Sequence, residues 1–254
     1  MVTDIHHVGI VVKNLHEAYR FWRDTLGLPL IREAEIADQG VRAALLAAGD
    51  SEIELLEPTT ADSGVARFLA KRGEGLHHLC FRTPGVDQDL AALRRQSVPL
   101  LDVASRQGLA GRIAFLHPRA CHGVLVELAT PVVAAEAAVE SPVRFKRIVI
   151  GCRSTQEAAT TFRGLFGLPD VEVNGGPRAM LGWAGGGTLL MVPASEVGGF
   201  EGMVALSMVA PDMPPLIERL ERARAATLVG AGEVTVEPAS SHGVHLHISR
   251  YHFP

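Results

Sequence analysis

Apolar residues recur along this chain in two rhythms. Short runs such as IHHVGIVV (5–12), VRAALLAAG (41–49), SEIELLEP (51–58) and GLHHLCFRT (75–83) read as strands. Between the first two, Leu15, Ala18, Tyr19, Trp22 and Leu26 repeat at helical spacing and predict an amphipathic helix. The same alternation continues with a helix over VDQDLAALRRQS (86–97) and strands over GRIAFLHP (111–118) and GVLVELAT (123–130).

The pattern then starts again. Residues 5–29, IHHVGIVVKNLHEAYRFWRDTLGLP, are answered by residues 145–169, FKRIVIGCRSTQEAATTFRGLFGLP, a shift of 140 residues that points to duplication. The second helix opens with Ser154 three residues before Glu157, a capping-box pattern, ahead of Ala158, Thr161, Phe162 and Leu165. RAMLGWAG (178–185) and GTLLMVP (187–193) follow as strands. MVALSMVAP (203–211), a helix begun by Asp212 and Pro214, VTVEP (234–238) and GVHLHISRY (243–251) complete the copy. The chain thus reads as four strand–helix–strand modules, two per half. TPVVAAEAAVESPV (130–143) continues neither pattern and marks the boundary; its Ala and Glu content also suits a short bridging helix.

Composition narrows the class. With 47% hydrophobic and 20% charged residues and a net charge of -4, the 254-residue chain has the makings of a globular protein, and nucleic-acid or membrane-surface binding is not expected. Cys80, Cys121 and Cys152 form no CxxC pair, and the N-terminus lacks the basic start of a signal peptide. No apolar run approaches the roughly 20 residues of a membrane span. A reduced, cytoplasmic protein is the expectation.

Four strand positions carry candidate chemistry: His7, Glu54, His78 and Glu127. Projecting from four strands into the hollow of a curved sheet, two imidazoles and two carboxylates suit one divalent ion such as Co, Mn, Zn, Ni or Fe. A lone strand histidine is more often structural than a ligand, and Glu54 in IELLEP could instead face water. Strand alternation points His6 and His77 to the opposite face, without a role.

GVRAALLAAGDSEIELLEP, FLAKRGEGLHHLCF and GRIAFLHPRACHGVLVEL resemble the methylmalonyl-CoA epimerase family, within the vicinal oxygen chelate superfamily, over nearly all of residues 4–130. The resemblance implies an α+β fold of tandem vicinal oxygen chelate domains, four βαβββ modules forming two cupped mixed sheets with flanking helices. The domains would be a metal-binding unit at 1–132, a linker at 133–142 and a degenerate unit at 143–254. It implies His7, Glu54, His78 and Glu127 as metal ligands, with Glu127 also a catalytic acid/base. The implied reaction is epimerisation of methylmalonyl-CoA or a related thioester, by α-proton abstraction through a metal-stabilised enolate. A glyoxalase-like isomerase or lyase, or a non-catalytic small-ligand binder, is the alternative. Some relatives carry a second catalytic glutamate at the position of Ala43. Coenzyme A phosphates would meet Arg67, Lys71 and Arg72, or Arg112 and Arg119.

The 140-residue shift puts Arg147 where His7 stands, and matching the strands GTLLMVP, MVALSMVAP and GVHLHIS to their first-half counterparts puts Leu189, Ala205 and His247 at the places of Glu54, His78 and Glu127. Leu and Ala cannot ligate through their side chains, so the second half is expected to hold no equivalent site. His242, His245, His247 and His252 cluster near the C-terminus; His245 and His247 share a strand face, but solvent-facing histidines are the expectation. The second half would take a dimer partner's place, giving a monomer with an internal pseudo-dimer, or a homodimer.

Overall fold

The first half begins with β1 (Asp4–Val11) and α1 (Leu15–Tyr19), which continues as a π-helical turn over Arg20–Thr25. Then come β2 (Leu30–Ile36), β3 (Val41–Ala48), β4 (Ser51–Pro58), α2 (Gly64–Arg72), β5 (Gly75–Arg82), α3 (Val86–Arg95), β6 (Arg106–Gly108), β7 (Gly111–Leu116) and β8 (Val126–Thr130). The second half repeats the order with β9 (Arg144–Cys152), α4 (Thr155–Phe166), β10 (Asp170–Val171), β11 (Ala179–Trp183) and β12 (Gly187–Pro193). It ends with β13 (Gly202–Val209), α5 (Met213–Arg222), β14 (Thr227–Val229), β15 (Glu233–Val236) and β16 (Leu246–Ser249). This is a computed structural model, and it describes residues 2–131, 139–172, 178–183 and 187–250. Half of the boundary stretch (132–138), and with it most of the suggested bridging helix, and His252 lie outside them.

Each half forms one eight-stranded mixed sheet, ordered β2-β3-β4-β1-β5-β8-β7-β6 and β10-β11-β12-β9-β13-β16-β15-β14. The fold is therefore α+β, two sheets built from four βαβββ modules. Within each module the first and last strands pair in parallel; β1 and β5, like β9 and β13, pair antiparallel and join the modules. The edge strands β2, β6, β10 and β14 complete the modules; three of them are short, and period-2 patterning is hard to read over two or three residues.

Strand alternation sends Val8, Ile10, Ala44, Leu46, Ile53 and Leu55 to the helix-covered side, with Leu15, Ala18 and Trp22 of the first helix. Each fully buried large aliphatic there contributes about 1.5–3 kcal/mol. That core is continuous between the halves: the Phe81 ring on β5 stacks on Phe166 of α4 at 5.0 Å, and Arg219 of α5 donates to the Thr25 carbonyl at 2.7 Å.

The first helix is not α-helical throughout. The Leu26 amide bonds the Phe21 carbonyl at 2.9 Å, an i→i−5 bond, and the wider turn buries Phe21, Trp22 and Thr25 together. A second departure is α2, whose sequence had been read only for its cations. Ser63 caps it by accepting from the Ala66 amide, and its Phe68 and Leu69 pack on the apolar concave cluster. The second half has a short 3-10 turn, Ala194–Val197, between β12 and β13.

Candidate metal centre

Four adjacent strands, β4, β1, β5 and β8, carry Glu54, His7, His78 and Glu127 on the concave face of the first sheet. Register explains the convergence. Gly9 lies opposite Glu54 on one side and opposite His78 on the other, while His7 and Glu127 both lie opposite Cys80. Gly9 leaves room for the imidazole of His78: a Cβ built on it would sit 2.2–2.8 Å from three ring atoms. Glycine is required here for space alone.

The donor atoms stand close together. His7 Nε2 lies 2.9 Å from His78 Nε2, 3.4 Å from Glu54 Oε2 and 3.0 Å from Glu127 Oε2. His78 Nε2 lies 3.2 Å from Glu54 Oε2 and 3.1 Å from Glu127 Oε2, and all four donors fall within 4.8 Å of one another. Donors held 2.0–2.1 Å from a common ion would be spaced about 3.3–3.4 Å in a tetrahedron and about 2.9 Å for octahedral neighbours. The separations fit a small divalent ion, and the N₂O₂ donor set suits one of borderline hardness.

Electrostatics agree with that fit. Burial alone would raise both carboxyls, but the His7 charge and hydrogen bonds from His7 and His78 hold Glu54 down at about 2. Hydrogen bonds from the same two rings likewise outweigh burial and hold Glu127 well below the carboxylate range. Burial opposes charge on His78, yet its hydrogen bonds to Glu127 and Glu54 raise it; His7 rises further against burial, among Cys80, Glu54 and Glu127. Burial pushes the Cys80 thiol far up, leaving it neutral, so the carboxylates do the work on His7. Two carboxylates facing two protonatable rings are the charge pattern that a dication could replace.

His6 and His77 do not point away, as strand alternation had suggested. The β1–β5 pairing slips between Ile5 and His7, and again where Gly9–Ile10 face His78 and Leu76. Each slip is a bulge holding one extra residue, His6 or His77, and bulges re-aim side chains. His6 Nδ1 sits 2.8 Å from His7 Nδ1, and His77 Nδ1 sits 3.0 Å from His78 Nδ1. Burial, then the charge of the neighbouring ligand-type histidine, lowers both outer rings to about 3, so they stay neutral and can accept a proton from the inner ring. Behind them Glu52, two residues before Glu54 and on its face, comes within 3.6 Å of His6. Period-2 spacing in SEIELLEP was the signal that could have found it.

A cavity of about 590 Å³ opens onto Glu54, His78 and Glu127. Val65 and Phe68 of α2, Leu56, Leu109 and Phe115 make its walls apolar. Ala43 lies opposite Leu56 on the concave face and is buried with Val11, Val41, Leu45 and Leu109, so that wall offers no carboxylate. Among the cations expected to meet phosphates, Arg67 lines the cavity and hydrogen-bonds the Asp62 carbonyl; exposed Lys71 lies farther along α2. Arg72 stands over Phe68 at 5.9 Å and over Phe200 of the second half at 5.4 Å. Arg112 is engaged with Ser105 and Asp87, and Arg119 is exposed.

In the second sheet Val149 takes Gly9's place and faces Leu190 and Ala205. The residue matching Glu54 is thus Leu190; Leu189, expected from matching GTLLMVP to SEIELLEP, pairs with Ile148 and points into the core. Ala205 removes the ring, and Val149 carries a side chain where Gly9 has none. Arg147 and His247 both lie opposite Ser207, as His7 and Glu127 lie opposite Cys80. His247 Nε2 meets Glu233 at 3.0 Å, and His245 is exposed.

Comparison with known proteins extends the picture. The Glyoxalase/Bleomycin resistance protein/Dioxygenase superfamily profile matches residues 6–115. The uncharacterised protein YqjC of Bacillus subtilis (strain 168) is 43% identical over 128 residues, 50% of this chain and 91% of that protein. Mitochondrial methylmalonyl-CoA epimerase of Mus musculus is 32% identical over 126 residues, 49% of this chain and 71% of that protein. A Streptomyces coelicolor methylmalonyl-CoA epimerase variant, in complex with 2-nitronate-propionyl-CoA, superposes with a TM-score of 0.51 at 43% identity, covering 52% of this chain and all (100%) of its own. The chain belongs to the Glyoxalase/Bleomycin resistance protein/Dioxygenase superfamily, as an isomerase-type enzyme of the methylmalonyl-CoA epimerase-like kind.

Proposed function

We propose that the first half is a metal-dependent epimerase of methylmalonyl-CoA or a closely related 2-substituted malonyl thioester. The observation that carries this is the convergence of His7, Glu54, His78 and Glu127 on one point at the wall of an apolar cavity. These four residues would hold the ion, and His6 and His77 would accept the outer N–H of the two imidazoles, fixing the tautomer that leaves each Nε2 lone pair free. A divalent ion supplies positive charge against the oxyanion that develops as the α-proton leaves.

The chain's residues do the rest. Glu127 borders the cavity as an ionised carboxylate and takes the α-proton. The wall around Ala43 is apolar, so proton delivery on the opposite face falls to water in the cavity or to a residue outside that wall. Apolar side chains of β3, β4 and α2 surround the reacting centre and limit its solvation. On this reading the chain divides into domains at 1–132 and 143–254 joined by 133–142, the second filling the place of a partner in an internal pseudo-dimer. Their continuous core supports that reading.

The test is C2 hydrogen exchange and stereochemistry of methylmalonyl-CoA in deuterium oxide, with the protein loaded in turn with Co, Mn, Zn, Ni or Fe. Exchange that falls by roughly 100-fold or more in Glu127→Gln is expected. No exchange with any of the ions would sink the assignment. The apolar wall at Ala43 favours a second reading, a glyoxalase-like isomerase or lyase using a single carboxylate, which the same samples test with hemithioacetal substrates.

A further inference from the structure

Beyond the quartet, Arg106 lines the cavity with a guanidinium whose Nη1 has no hydrogen-bond partner among the described residues. Arg106 on β6 lies opposite Ile113 on β7, which lies opposite Ala129 on β8; Phe115, two residues along β7, lies opposite Glu127. Arg106, Ile113, Phe115 and Glu127 therefore share the concave face. The Arg106 guanidinium stands 5.5 Å from the Phe115 ring centroid, and the same ring meets His78 edge-on at 5.4 Å. Phe115 is the spacer between this cation and the quartet.

The Arg106 side chain is one-third exposed (33%) at the cavity wall, and its anchoring is incomplete. Nε donates to Asp102 Oδ1 over a long 3.4 Å, while Asp102 Oδ2 accepts the Phe115 amide at 2.9 Å. Nη1 is buried and has no partner among the described residues. The exposed part of the guanidinium lines the cavity, and with five N–H donors and one long bond to Asp102 it has donors to spare for a ligand acceptor. Charge points the same way: two carboxylates cancel a divalent ion, so the quartet offers an incoming anion little net attraction. Of the cavity's other cations, Arg67 is already tied to the Asp62 carbonyl beside its own helix.

We propose that Arg106 binds the free carboxylate of the substrate, selecting half-thioesters of substituted malonic acids over plain acyl thioesters. This rests on the epimerase-type reading of the cavity, but its test does not depend on turnover. A planar guanidinium presents paired donors that match a carboxylate, a fit an ammonium lacks. A phosphate of coenzyme A offers the same oxygen chemistry, so the ligands tested must separate the two.

Calorimetric titration of the Co-loaded full chain with methylmalonyl-CoA, propionyl-CoA and free coenzyme A makes that separation. Wild type is expected to bind methylmalonyl-CoA roughly 10- to 100-fold more tightly than propionyl-CoA. Arg106→Gln should erase the preference while leaving cobalt content and the affinities for propionyl-CoA and coenzyme A unchanged. Arg106→Lys should restore part of it. A wild type without the preference, a preference that survives Arg106→Gln, or equal weakening of all three ligands would each overturn the assignment. Exchange at C2 in the same samples separates the readings: an Arg106-dependent preference without exchange removes the epimerase and keeps the carboxylate site.

Discussion

Replacing Gly9 with alanine adds one methyl group at the centre of the quartet, and its consequences can be worked from the structure. The added carbon would stand 2.2 Å from His78 Cε1, so the ring must withdraw by about 1.2 Å to reach the 3.4 Å of an ordinary contact. A shift of that size breaks the 2.9–3.2 Å spacing of His78 Nε2 from His7, Glu54 and Glu127, while metal–ligand distances tolerate about 0.2 Å. Gly9→Ala is expected to weaken cobalt binding by at least about 100-fold, because a ligand itself is displaced. Overpacking should cost the ion-free protein about 1–3 kcal/mol. Combining it with His78→Ala tests the cause, since Val149 and Ala205 make that exchange in the second sheet. In the His78→Ala background the Gly9→Ala cost should fall below about 0.5 kcal/mol, a coupling read from chemical denaturation of all four proteins. Equal costs in both backgrounds, or cobalt affinity within about threefold of wild type in Gly9→Ala, would refute the reasoning.

Two further expectations follow from the same site. His6→Leu removes the acceptor 2.8 Å from His7 Nδ1 and should lower cobalt affinity roughly 10- to 100-fold and alter the cobalt absorption spectrum, with His6→Asn recovering part; equilibrium dialysis and spectroscopy read both. The raised His7 and His78 hold protons that an ion must displace, so affinity should climb with pH above the ordinary 6.5 and binding at pH 7 should release up to about two protons per ion. The lowered carboxyls work in the opposite sense, competing with protons only in acid, below the ordinary 4.5 and down toward about 2 for Glu54. Calorimetry in buffers of different ionisation enthalpy measures the release, and none at pH 7 would contradict the raised imidazoles.

The residue pattern alone carried the two strand–helix rhythms and the duplication, because period-2 and helical spacing are local properties of the chain; it offered His7, Glu54, His78 and Glu127 as candidates, and the family resemblance implied them as one set. It also carried the loss of that set from the second half. Other features depend on how strands far apart in sequence pair. The bulges that turn His6 and His77 toward the quartet belong to the β1–β5 register, about 70 residues apart, and no local pattern encodes such a slip. Gly9 reads as an ordinary strand glycine until the His78 ring is found lying across it. Leu190 replaces Leu189 at the vacant position because pairing to β9, and not the match of one segment to another, sets the face. Arg106, on a three-residue edge strand, becomes a cavity residue only through two successive strand pairings. The sequence determined which candidate side chains the first half offers; the sheet's register decided which of them meet and which neighbours support them, because strand pairing brings together residues that alternation can only sort into faces.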